Sequence, residues 1–93
     1  MNQTEIKNIR KRLVWRATHR GTKEVDLLLG TFAIENVETM DLELLQAFEV
    51  FMEIADPQMH LIMTKEVSLP NGLPDKLVSM LDSYVYVAKV KGA

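Results

Sequence analysis

The chain has 93 residues, 47% of them hydrophobic and 26% charged, with a formal net charge of −2 and no cysteine. That length suits one domain with a core of its own, and the missing cysteine excludes disulfides, cysteine nucleophiles and thiolate metal sites. No apolar run approaches the ~18 residues of a membrane span and no signal-peptide core follows the basic start, so a cytoplasmic location without membrane insertion is expected.

Charge is unevenly placed along the chain. Residues 1–24 hold seven Lys and Arg against two Glu, whereas residues 25–93 hold four Lys against eleven Asp and Glu. A basic segment on an otherwise acidic protein points to an oriented surface for a partner. The same run has an alternative reading, a small nucleic-acid-associated regulator or antitoxin-like protein using the first helix. The acidic remainder, which repels phosphates, and the lack of a recognisable base-reading helix weigh against nucleic acid.

In chain order, a first helix is predicted from about Thr4, as N-cap, to about His19, with Ile6, Ile9, Leu13 and Ala17 forming one apolar stripe. Trp15 is assigned to the margin of that stripe, with core packing as the default and partner contact as the alternative. A second helix is predicted over about Lys23 to Glu35, with Val25, Leu28, Leu29 and Phe32 inward. Gly30 inside it costs up to ~1 kcal/mol against alanine, which signals close helix packing. Asp41 is read as the cap of a third helix reaching Ile54 and carrying Leu44, Leu45, Phe48, Phe51 and Met52.

Asp56-Pro57 reads as an N-cap followed by proline at the first position of a short helix ending near Thr64. Ser68 to Pro74, with Asn71-Gly72 inside it, is a loop, and a last helix runs from about Asp75 to Tyr86 with Leu77, Leu81 and Tyr84 inward. Val85, Val87 and Val90 alternate like a strand but have no partner strand, so a fraying helix end is expected there. Met52, Met59, Met63 and Met80 are read as adaptable core filler. His60 has no second histidine at ligand spacing, so no metal site is expected. The whole is an all-α, compact five-helix bundle, a single domain over 1–93.

Between the first two helices lies His19-Arg20-Gly21-Thr22-Lys23-Glu24, followed by Asp26. Local physics explains each residue: Gly21 as a left-handed residue past the first helix, Arg20 and His19 at its negative end, Thr22 as the next cap, Glu24 and Asp26 at the positive end. On that reading the charges face water, and Arg20 and Glu24 each contribute only about 0.3–1 kcal/mol.

Arg20-Gly21-x-x-Glu24-x-Asp26 resembles the R-G-x-x-E signature of the SdhE-type FAD assembly factor family. Arg12-Leu13-Val14-Trp15-Arg16 precedes it at the family's spacing, Asp26 to Ala33 follows it, and Phe48-Glu49 and Glu53-Ile54-Ala55-Asp56-Pro57 match further on. Two positions depart from the pattern: His19 stands where a second arginine is common, and Ile62 where a tryptophan is.

The resemblance implies a non-catalytic bacterial assembly factor, monomeric when free. Its partner is implied to be the flavoprotein subunit of succinate dehydrogenase, or of fumarate reductase, on which it promotes covalent FAD attachment. It also implies a factor that binds no FAD stably itself but acts on the FAD of that subunit. Arg20, Gly21, Glu24, Asp26, His19, Arg16 and Arg12 are the implied partner-binding residues. No nucleophile–base pair, phosphate loop or His-Glu metal motif is present to support catalysis.

Overall fold

A computed structural model describes residues 2–84. Helix α1 (Gln3–Thr18) starts two residues before the expected Thr4 cap, because Asn2 Oδ1 accepts the Glu5 backbone N–H at 2.9 Å. Helix α2 (Lys23–Asn36) is capped by Thr22, whose hydroxyl accepts from Val25 N, and Asp41 caps α3 (Leu42–Phe51) by accepting from Leu44 N. A single 3-10 turn (Val37–Thr39) joins these two helices.

At α4 (Asp56–Met63) the expectation needs correcting. Ala55 occupies the cap position with extended backbone, and Asp56 is already helical. Its carboxylate is directed away from its own helix, to the turn after α1. Helix α4 ends on Lys65, which takes the left-handed conformation (φ 64) usually left to glycine. There Lys65 N donates to Ile62 O and Glu66 N to Leu61 O, so two of the last carbonyls are satisfied. Helix α5 (Asp75–Ser83) follows the loop in which Gly72 (φ 92) turns the chain. It stops three residues short of the expected Tyr86, and the alternating Val85, Val87 and Val90 lie outside the described residues.

The inward faces are those the helical period predicts. Leu13 and Ala17 of α1, Val25, Leu28, Leu29 and Phe32 of α2, Leu44, Leu45, Phe48 and Phe51 of α3, and Leu77 and Leu81 of α5 are all buried. Met52, Met59 and Met63 lie in the same core, and Met80 packs on its edge. Aromatic rings fill its centre: Phe32 sits 5.5 Å from Phe48 and meets Tyr84 edge-on at 5.4 Å, while the Tyr84 hydroxyl donates to Leu28 O.

Gly30 allows α1 and α2 to touch. A Cβ there would stand 2.8 Å from Thr18 Cγ2 and 3.4 Å from Ala17 O. The described residues thus form five α-helices and no strand around one core. No helix among them is long and apolar enough to cross a membrane.

Candidate functional site

The turn between α1 and α2 is held by a carboxylate that enters from far along the chain. Arg20 does not face water as its neighbours suggest; its side chain is 12% exposed. Its Nε donates to Asp56 Oδ1 at 2.8 Å, Nη1 to Met52 O at 2.7 Å and Nη2 to Ile54 O at 2.6 Å. The planar guanidinium thus takes up carbonyls left open at the end of α3 and, with the same fork, the first residue of α4.

Asp56, 16% exposed, uses its second oxygen to accept the Gly21 backbone N–H at 2.6 Å. One carboxylate therefore fixes both residues of the Arg-Gly pair. On the other side, the Arg20 backbone N–H donates to Asp26 Oδ1.

Glycine suits position 21 for a different reason from the expected one. It is not in the left-handed region; among the described glycines only Gly72 is. What Gly21 provides is room, since a Cβ would lie 2.7 Å from Asp56 Oδ2.

Glu24 is placed otherwise. Its side chain is 75% exposed, and His60 Nε2 lies 3.9 Å from Glu24 Oε2. Of the signature residues it alone is displayed outward, on the first turn of a helix whose start is pinned by the Asp56 contacts.

The other predicted residues have internal partners. Arg12 Nη2 donates to both oxygens of Glu49, and Arg16 reaches Glu49 at 3.1 Å and Glu53 at 2.9 Å, so the two arginines tie α1 to α3. His19 stacks on Trp15 with ring centroids 4.1 Å apart and donates from Nδ1 to Trp15 O at 2.7 Å. Trp15 is 60% exposed, against the core placement expected of it. Two residues beyond buried Leu13 is a turn of ~200° around a helix, which carries Trp15 to the outer side.

Sequence reasoning missed Asp56 as the hub of the turn and Arg10 as a strut. Arg10 donates to Val37 O at 3.0 Å and to Met40 O at 2.8 Å, closing the end of the 3-10 turn. The Asp-Pro pair was a visible signal for Asp56, but its role as a cap was the simpler local assignment. Among the described residues no three His, Asp or Glu side chains gather as a metal site.

Fold and turn together define a small all-helical protein organised around an Arg-Gly turn clamped by Asp56, which displays one glutamate. The chain belongs to the family described as flavinator of succinate dehydrogenase, which it matches over residues 11–85. It is 35% identical over 82 residues to the FAD assembly factor SdhE of Acetobacter pasteurianus, an alignment covering 88% of this chain and 72% of that protein. To the mitochondrial succinate dehydrogenase assembly factor 2 of Dictyostelium discoideum it is 26% identical over 81 residues, 87% of this chain and 57% of the other. The corresponding protein of Cryptococcus neoformans is 38% identical over 50 residues, 54% of this chain and 29% of its own. The chain thus spans only part of the two mitochondrial proteins. No solved structure matches it.

Proposed function

We propose that this protein binds the flavoprotein subunit of succinate dehydrogenase, or of the related fumarate reductase, and promotes covalent attachment of FAD to it. It does so as a bacterial cytoplasmic factor without catalytic groups of its own. The observation that carries this is the division of labour within the signature: Arg20, Gly21 and Asp26 are engaged with the fold, whereas Glu24 stands 75% exposed on a fixed mount. A carboxylate displayed this way is an acceptor for N–H or cationic donors of a partner, on a backbone that is already in place when it docks.

Attachment joins the flavin to a histidine of the partner, so the FAD acted on is the partner's and none is held stably here. The helper's contribution is orientation: keeping the partner in the arrangement where histidine and flavin meet. Arg12, Arg16 and His19 serve chiefly by keeping α1 and the turn in place.

The test is co-expression with the flavoprotein subunit and flavin fluorescence of that subunit in a denaturing gel. Glu24→Ala should lower covalent flavin by roughly tenfold or more, as truncating one side of a desolvated charged contact does, while melting stays near wild type. Full fluorescence with Glu24→Ala would remove the proposed contact.

A further inference from the structure

Beyond the turn, the outer side of the α1–α2 hairpin carries an open groove of about 430 Å³. Its apolar floor is formed by Val14, Trp15, Ile34 and Val37, and Lys7 and Lys11 stand along one rim. Trp15 and Ile34 are each 60% exposed, unusual for side chains of that size when Phe32, Phe48, Phe51 and Tyr84 are all buried. Lys7, Lys11, Trp15 and His19 follow at four-residue steps, so they form one ladder along α1. The stack on His19 holds the indole in one orientation, which reduces the entropy a partner must remove.

We infer that this groove is a second docking site for the flavoprotein subunit, taking a segment of it in which carboxylates flank a large apolar side chain. The inference rests on the proposed function for the partner's identity and on charge complementarity for its chemistry. Lys7 and Lys11 make no ion pair among the described residues, whereas Arg10, Arg12, Arg16 and Arg20 are all taken up by internal acceptors. The rim therefore offers two free cations beside an aromatic anchor, the combination in which a buried ring supplies contact area and the charges fix register. Nucleic acid suits the site less well. Two lysines neutralise few phosphates of a nucleic-acid backbone, and Glu38, which opens onto the same groove, is answered by Arg10 at 3.9 Å.

Trp15 is the only tryptophan of the chain, so 5-fluorotryptophan gives one fluorine resonance placed in the groove. Adding unlabelled flavoprotein subunit to the labelled full chain should shift or broaden that resonance. Lys7→Glu with Lys11→Glu should weaken binding of the subunit roughly tenfold, and Trp15→Ala by roughly 30-fold. Lys76→Glu, an exposed reversal on α5, should leave binding unchanged, and all variants should keep wild-type helical circular dichroism.

Wild-type chain that fails to bind the subunit refutes the proposed function itself. Binding that Glu24→Ala weakens but the groove variants do not refutes the groove while that function stands. A resonance that moves with single-stranded oligonucleotide, or with the chain's own concentration, and not with the subunit overturns the inference in favour of nucleic acid or a second copy.

Discussion

Replacing Arg20 by alanine separates a surface charge from a buried clamp most sharply. A helix-end charge contributes about 0.3–1 kcal/mol. The observed side chain instead makes three hydrogen bonds, one of them within an ion pair whose members are 12% and 16% exposed. Truncating one member of a fully buried pair costs about 3–5 kcal/mol, and the residual water access around Asp56 lowers that. Two carbonyl oxygens, of Met52 and Ile54, lose their donors as well, each costing up to about 1 kcal/mol when water restores part of the bonding. The expected loss is about 3 kcal/mol, or about 12–20 °C in melting temperature for a domain of this size.

Urea denaturation followed by far-ultraviolet circular dichroism measures it. Arg20→Lys should recover less than half, because one ammonium cannot span three acceptors set in a fork. A cycle with Asp56→Ala should show a coupling above about 1 kcal/mol. A loss below about 1 kcal/mol for Arg20→Ala, or strict additivity with Asp56→Ala, would refute the clamp.

Gly21→Ala should destabilise by about 1–3 kcal/mol, because the new Cβ displaces the Asp56 carboxylate from the Gly21 N–H; the same denaturation measurement reads it. Phe48→Ala removes a fully buried ring from the aromatic centre and should cost about 3–5 kcal/mol, with calorimetric melting as the check. Lys65→Gly should stabilise the chain by about 0.5–1 kcal/mol in the urea midpoint, since glycine relieves the left-handed strain at the end of α4 and only an exposed bond from Lys65 Nζ to Asp82 O is lost.

Helix faces were legible in the sequence because apolar period and burial are one quantity seen twice: Leu28, Leu29 and Phe32, or Leu45 and Phe48, could face only one way. Gly30 was legible too, because a glycine that weakens a helix interior has to be offset by close approach. The turn was recognised as a motif, yet Arg20 was given the wrong environment. Charge in a glycine-containing turn signals exposure, and the acceptors that draw Arg20 inward are an aspartate 36 residues away and two backbone carbonyls. A carbonyl has no sequence signature. Trp15 was misplaced for the opposite reason, because bulk and apolarity outweighed its angular position on the helix.

The pairing of Arg12 and Arg16 with Glu49 and Glu53 has a consequence for how the protein meets other molecules. In the linear chain, positive and negative charge are segregated. In the folded molecule, Glu49 of α3 and Glu53 just after it lie along the guanidinium groups of α1, and fields of opposite sign a few ångströms apart cancel beyond about one Debye length, ~8 Å in physiological salt. Segregation along the sequence is therefore partly cancelled in the folded molecule, which leaves Lys7 and Lys11 as cations of the segment without an ion pair among the described residues. A partner approaching through solution meets little guiding potential from these arginines, so whatever steering and ionic-strength dependence its association shows should come from Lys7 and Lys11. The arginines of α1 thus serve the fold, and the steering charge of the segment is left to its lysines.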